Sequence, residues 1–567
     1  MNLSLRRLLL ALASLCPPAW LIAQASGVPL HAPAYHILDR LDILTDVATP
    51  IHAELKYYSR QDVAAYALKV DTAASDLSRR DRQDLQYLFD DNNEWLSDTS
   101  RHLRRNQRPI LKSFYRTPAN LFEVNVPDFQ MRVNPLLNLQ IAQEQGDPAL
   151  LFQNQRGLEV RGTVDRKVFF HTNVIESQAR YPGYVTDRVV EYQAVPGAGT
   201  YKNYNPRIVD VRDAYDFNVA SAYIGLHVTP HVSLQLGHGR HFIGNGYRSL
   251  LLSDYANNGF YLKLSTRVWR FHYQNLFMEL SPISQRQTSG NEKLPKKYVA
   301  MHYLNYKITP RLSVAFFEAT VFNRSRQFEW QYLNPVILYR TVEGMLGSPD
   351  NVLIGLDGHW NLFRRFQLYG QVMIDEFLVS AVFKPEQKGW WGNKFGLQAG
   401  LKYMNALGVD HLDLQLEFNA VRPYTYSHYD SLNSYTHFNQ PLAHPLLSNF
   451  KEIVGIARYQ PTPRWLFEGR LMHARTGDNT ATENWGANPL LNYGSRVQDY
   501  GNTVGQGTAA TIQLAALDIS WMLYHNLYID AKVLLRKKNS ADDARDQSTK
   551  LFGIGLRMNL WNLPLDF

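Results

Sequence analysis

A single cysteine, Cys16, occurs in the 567 residues, and it lies in the leading segment. The rest of the chain therefore has no disulfide framework, no thiol nucleophile and no Cys-ligated zinc or iron–sulfur cluster. Long apolar runs are also missing. No stretch approaches the ~18–20 residues of a membrane-spanning helix, and the mean hydropathy is −0.32, which excludes a polytopic helical membrane protein. Charge is sparse, 19% of residues against about 25% in ordinary soluble proteins. The 59 Lys and Arg are scattered without a basic block, so nothing resembles a nucleic-acid-binding arm. Aromatics are plentiful: 33 Tyr, 27 Phe and 11 Trp exclude a disordered chain. A large all-β or mixed soluble protein remains, or a β-barrel that spans a membrane without being greasy on average.

Residues 1–25 have the form of a secretory signal. Arg6 and Arg7 precede an apolar stretch from Leu8 to Leu15, and Ala23-Gln24-Ala25 is a small-x-small cleavage site. Leu15 and Pro17 make a poor setting for lipid attachment at Cys16. Residues 26–120 form a helical region, expected in the periplasm. Ser59 with Asp62, and Ser78 with Asp81, are N-caps followed by helically spaced apolar residues, and the basic run from Arg101 to Arg108 is expected to end a third helical piece.

From about residue 128 the period changes to two, and residues 121–567 are expected to form the barrel. In 411–419, Leu412, Leu414, Leu416 and Phe418 alternate with Asp413, Gln415, Glu417 and Asn419. Residues 260–268, 527–536 and 551–560 alternate likewise, each about ten residues long, the span of a tilted transmembrane strand. Connections alternate in length. Tight turns fall at Asp165-Arg166, Thr229 to His231, Thr309 to Arg311, Arg364-Arg365, Thr462 to Arg464 and His525-Asn526. Long loops cover 181–214, 240–258, 281–297, 323–350, 421–450 and 476–509. Short turns on one side and long loops on the other predict a closed antiparallel outer-membrane β-barrel. The strand candidates number 18, with the second over 157–165 and the last over 549–561. Loops 240–258 and 323–350 are candidates to plug the lumen. Trp269, Trp521 and Trp561, at strand ends, are expected in an interfacial girdle.

Several residues carry potential chemistry. Gly237 to Ala256 is not a phosphate loop, because no Gly-Lys-Ser/Thr follows. His238, His241, His428, His437 and His444 lack the spacing of a metal site, so no metal or other cofactor is expected. Ser249, Ser253, His241, Asp254 and Asn245 lie close in sequence but lack a Gly-x-Ser-x-Gly elbow, and no enzyme activity is expected. The aromatic loops are more informative. Trp390-Trp391, Tyr424 to Tyr429, Trp485, Tyr493 and Tyr500 offer flat faces on which sugars stack, although an interfacial girdle explains such rings equally well.

Gly244-x-Gly246-x-x-Ser249-Leu250-x-Leu252-Ser253-x-x-Ala256 resembles the central motif of the Wzi capsule-assembly family. Asn334-Pro335-Val336-Ile337, followed by Asn351 to Asp357, resembles a second block of that family. His241 to Ser249, Gly389 to Lys394, Val421 to Tyr426 and Asn439 to Pro445 resemble the RemB-type outer-membrane proteins of gliding bacteria. The resemblance implies an 18-stranded barrel with a small periplasmic helical bundle in the outer membrane of a Gram-negative bacterium. It further implies binding of surface polysaccharide, or a part in adhesion and gliding. Phe242-Ile243 stands where the Wzi motif has Trp. Candidate glycan contacts are Arg240, His241, Tyr247, Arg248, Trp390, Trp391, Tyr424, Tyr426 and His428. Expected partners are outer-membrane lipid, surface polysaccharide and gliding or secretion proteins; the alternative function is a porin-like channel.

Overall fold

The computed structural model describes residues 26–74, 77–205, 213–285, 293–324, 327–347 and 350–567. The signal segment 1–25, with Cys16, lies outside them. Eighteen strands close into one antiparallel barrel. They are β1 (Phe129–Glu144), β2 (Leu151–Val164), β3 (Val168–Arg180), β4 (Ala214–His227), β5 (Val232–Gly239), β6 (Gly259–Val268), β7 (Phe271–Leu280), β8 (Lys297–Thr309), β9 (Leu312–Phe322), β10 (Asn351–Leu362), β11 (Phe366–Glu376), β12 (Lys394–Tyr403), β13 (Leu412–Val421), β14 (Phe450–Thr462), β15 (Trp465–Asp478), β16 (Thr508–Tyr524), β17 (Leu527–Ser540) and β18 (Gln547–Met558). Each pairs with the next, and β18 pairs back onto β1 from Leu551↔Glu144 to Met558↔Leu137. Closure leaves no strand edge with unpaired backbone groups, the condition a sheet must meet in hydrocarbon.

The count agrees with the alternation in the sequence, while several boundaries differ, two of them instructively. β2 starts at Leu151 rather than 157, because the polar run Gln153 to Arg156 hides the period although it pairs fully with β1. β18 stops at Met558, where Asn559 turns to a left-handed φ of 50°. At the short-turn end, Asp165-Arg166 and Phe363-Arg364 adopt paired positive φ values, as tight hairpins require. The second of these lies one residue before the expected Arg364-Arg365.

Side chains alternate as the period demands. On β13, Leu416 and Phe418 are exposed on the outside, whereas Asp413, Gln415, Glu417 and Asn419 are buried within. Leu158, Val174, Ile224, Leu356, Leu471 and Phe552 continue the apolar outer band, a surface suited to hydrocarbon. No described helix is long and apolar enough to cross a membrane. At the short-turn end Trp269 packs 5.8 Å from Phe271 and Tyr306, and Trp465 stacks 5.8 Å from Trp521. Trp561 does not join this girdle. It lies beyond the end of β18, 5.9 Å from Tyr528 and against the helical core.

Three helices, α1 (Pro33–Leu44), α2 (Arg60–Ala73) and α3 (Arg79–Asp91), share a core that includes Leu38, Val63, Tyr66, Leu88 and Phe89. The Ser59 side chain accepts from Asp62 N, and Ser78 with Asp81 forms a reciprocal capping box. No α-helix ends in residues 101–108, which are irregular apart from a turn and a bend; the run carries Leu103 as its one apolar residue, too little for a face to pack. The bundle stands inside the short-turn end of the barrel and meets the wall through charge. Arg40 bonds Asp413 at 2.5 and 2.6 Å, Lys402 bonds Asp39 at 2.6 Å, and Arg161 bonds Glu94 at 3.1 Å. Its outer surface is polar because the wall it faces is polar.

The loop between β9 and β10, expected over the lumen, lies against the outer wall of β7–β9 instead. Its helix α5 (Tyr339–Leu346) buries Tyr339 and Val342 there with Phe277, Ala300 and Phe322.

Candidate functional site

The loop between β5 and β6 folds into the barrel, and its glycines have a physical task. Gly244 has a φ of 124°, and a Cβ there would lie 2.3 Å from Gln371 Nε2; at Gly246 it would lie 2.6 Å from Glu417 Oε2. These close approaches seat the loop on the wall. Glu417 accepts from Tyr247 N at 2.7 Å and Arg248 N at 3.0 Å, Gln371 Oε1 accepts from Leu250 N at 2.8 Å, and Gln398 donates to Arg248 O at 3.0 Å. Ser249 Oγ closes the turn by donating to Ile243 O at 2.6 Å.

Above this turn, Leu250, Leu251 and Leu252 are at most 1% exposed in an apolar core that fills the long-loop half of the lumen. Val185 and Val189 of α4 (Gly183–Tyr192) join it, as do Leu442 and Ala443 of the loop between β13 and β14. Tyr426 and Tyr435 hydroxyls donate to Leu250 O and Leu251 O at 2.8 and 2.6 Å. The tail after β18 turns back into the lumen and completes the plug. Tyr247 OH and Arg470 Nε reach Asp566 at 2.5 and 3.0 Å, Arg248 donates to Asp566 O at 2.5 Å, and Arg536 donates to Phe567 O at 2.8 Å. Burial alone would raise the Asp566 carboxyl; the Arg470 and Arg248 guanidiniums outweigh it and hold that carboxyl below its ordinary range. Below the plug, a cavity of about 1060 Å³ is bordered by the tail, the helices and side chains including Arg240, Asp254, Arg458 and Arg557.

The nine expected contacts fall in three places. His241, Tyr247, Arg248 and Tyr426 belong to the plug, and His241, Arg248 and Tyr426 are closed to solvent. Arg240 borders the cavity and donates to Asp254 O at 3.1 Å. Trp390, Trp391, Tyr424 and His428 come together at the long-loop end around Tyr493. Trp391 lies 6.0 Å from Trp390, 6.3 Å from Tyr424 and 4.8 Å from Tyr493, and His428 lies 5.9 Å from Tyr493. Both tryptophans are half-buried, and Arg496 stacks 4.2 Å over Trp391. Tyr424 is buried with its hydroxyl on Asn484 O. Arg496 has no sequence signal of its own. Glu417, Glu452 and Asp566 were discoverable only as inward or terminal acids.

The residues weighed for catalysis do not assemble. The Ser253 hydroxyl donates to Ala443 O, Asp254 bonds His31 at 2.6 Å, and neither ring nitrogen of His241 has a partner. The histidines weighed as metal ligands are dispersed. Burial pushes His437 down to about 3, and His444 bonds Glu452 at 2.8 Å. Among the described residues, Asp81, Asp84 and His411 do gather in ligating range. Asp84 is paired with Arg80 at 2.8 Å and Asp81 with Arg40 at 3.4 Å, so guanidiniums already meet the charge of that set.

These features define a closed 18-stranded β-barrel with a helical bundle in one end and a loop-and-tail plug in the other. Wzi of Escherichia coli, an outer-membrane protein involved in group 1 capsule assembly and a carbohydrate-binding β-barrel, is similar to it in fold. The TM-score is 0.57 at 13% identity, over 95% of this chain and 100% of Wzi. OprD of Pseudomonas aeruginosa has a TM-score of 0.42 at 10% identity, over 75% of this chain and 94% of its own. OccAB2 of Acinetobacter baumannii has a TM-score of 0.42 at 9% identity, over 76% and 97%. No protein-family model and no curated protein matches the sequence.

Proposed function

We propose that this chain spans the outer membrane of a Gram-negative bacterium and holds surface polysaccharide at its long-loop end rather than conducting solutes. The observation that carries the reading is a plugged upper lumen beside a half-exposed aromatic platform. Trp390, Trp391 and Tyr493 present ring faces for the C–H faces of sugars, and Arg496 over Trp391 offers a cation to acidic sugars. His428 and the edge of Tyr424 flank the platform, while His241, Tyr247, Arg248 and Tyr426 hold the plug beneath it and Arg240 borders the cavity below. The carbohydrate-binding likeness of Wzi in fold supports the same reading.

A porin-like channel needs a continuous polar path, and the apolar core around Leu250 to Leu252 stands across it. A part in gliding or secretion rests on the RemB-type resemblance alone. Equilibrium binding of purified surface glycan to the intact protein tests the proposal. Binding is expected for the wild type and a loss of tenfold or more for Trp390→Ala/Trp391→Ala; equal binding by the two removes the platform from the account.

A further inference from the structure

The outer wall carries a polar row where an apolar band is expected. Asn275 of β7, His302 of β8 and Glu318 of β9 are directly in register, between Leu264 of β6 and Ile354 of β10. They face outward, because their neighbours face the lumen: His272 meets His52 at 5.1 Å, and Tyr303 OH bonds Asp357 at 2.8 Å. Asn275 lies four residues from Phe271 and His302 four from Tyr306, the rings that pack with Trp269 at the short-turn end. At ~3.4 Å per residue and a tilt of roughly 40°, four residues rise about 10 Å, inside the ~25 Å apolar band of a membrane barrel. A carboxylate facing hydrocarbon at that depth is unfavourable.

Residues 327–347 cover the row. Glu318 accepts from Tyr339 N at 2.9 Å and Arg340 N at 3.1 Å, and the Tyr339 ring lies 3.9 Å from His302. Asn275 donates to Pro335 O at 3.2 Å, and Tyr273 OH donates to the same oxygen. Every member of the row is thus at most 4% exposed. The far side of the segment is open and dominated by large apolar side chains, Trp330 77%, Val336 81%, Leu338 54% and Met345 70% exposed, with Gln331, Asn334, Arg340 and Thr341 exposed among them. It is continuous with the exposed Leu304, Val314 and Leu356 of the strands beneath. Arg340, the cation on this surface, is paired with Glu343 at 2.6 Å.

We propose that residues 327–347 form a lipid-embedded flap, whose outer side chains contact the acyl chains of the surrounding bilayer. The flap replaces a polar stretch of barrel wall with an apolar one. Its occupant is lipid, because its exposed face prolongs the band that the strands present to hydrocarbon and because the groups it covers are those hydrocarbon rejects.

Cysteine substitution tests this with little interference, since Cys16 is the sole cysteine and is replaced by serine in the background. The full chain carrying Val336→Cys, Leu356→Cys or Tyr500→Cys is labelled with an environment-sensitive fluorophore. Each is reconstituted in phosphatidylcholine vesicles with or without brominated acyl chains. Quenching at position 336 is expected to reach at least half of that at position 356, with little at position 500. Quenching at 336 below half of that at 356 overturns the proposal, whether water, a second copy or another protein covers the flap. The measurement is independent of glycan binding, so either reading can fail without the other.

Discussion

The guanidinium of Arg248, on the loop after β5, meets the carboxylate of Glu452 on β14 at 3.0 Å, with both side chains closed to water. Burial alone would lower the Arg248 guanidinium, but the Glu452 carboxylate outweighs it and leaves the group above its ordinary value. The pair joins the plug to the far wall across 204 residues of sequence, and the same guanidinium holds Asp566 O of the tail. One side chain thereby ties loop, wall and tail together.

Removing that guanidinium leaves the buried Glu452 carboxylate with His444 and Asn419 but no cation opposite it, a loss of up to about 3–5 kcal/mol. Arg248→Met is expected to unseat the plug and let small sugars enter proteoliposomes, scored by swelling. Arg248→Met/Glu452→Leu, which removes both charges, is expected to recover most of the seal. Equal leakage by the two variants contradicts the lock.

Leu251 is fully buried in the plug, and truncation to Ala there costs about 2–5 kcal/mol, depending on how far the cavity collapses. The effect is expected to be local. Hydrogen exchange of amides from Gly244 to Tyr255 rises in Leu251→Ala, while the β15–β16 ladder stays protected. Uniform protection throughout would show that the plug is not packed as described.

The tail should respond to acid. The Asp566 carboxyl is held below its ordinary value, so its contribution is present above the unfolded value near ~3.9 and is lost as pH falls through the lower folded value. A nitroxide at Asn562→Cys is expected to be immobile at pH 7 and to gain mobility only in the acid range. With Asp566→Asn added, it should be mobile at both. Mobility already at neutral pH in the singly labelled chain would count against a docked tail.

Arg40 holds the helical bundle to the wall through Asp413, and also reaches Asn405 at 3.0 Å. Arg40→Met leaves Asp413 buried with His36, again at about 3–5 kcal/mol. Trypsin is expected to cleave at Arg79 and Arg82 of α3 faster than in the wild type. Lys69→Ala, an exposed control, should leave the rate unchanged.

Most of the wall was legible in the sequence, because a barrel lined with water-loving groups and faced with apolar ones must alternate, as Leu416, Glu417, Phe418 and Asn419 do. Helix caps at Ser59 and Ser78 were legible for a similarly local reason. The direction in which a loop folds was legible for 240–258, expected in the lumen and found there, but not for 323–350. Residues 240–258 enter the lumen because Gly244 and Gly246 permit contact with Gln371 and Glu417, whereas residues 327–347 turn outward to cover Glu318; both depend on partners far away in sequence. A short tail from Leu563 to Phe567 follows from Pro564, but its docking was illegible, since nothing in those residues announces the Arg470 and Arg536 that receive it. The aromatic platform was half legible: Trp390, Trp391, Tyr424 and His428 do converge, but Arg496 joins them only through the fold.

The central claim is that this barrel is stoppered and therefore holds rather than conducts. Recording from the intact chain in planar bilayers at neutral pH tests it most directly. The account predicts insertion without any large, stable conductance; steady ohmic openings of porin size in the wild-type protein would contradict it.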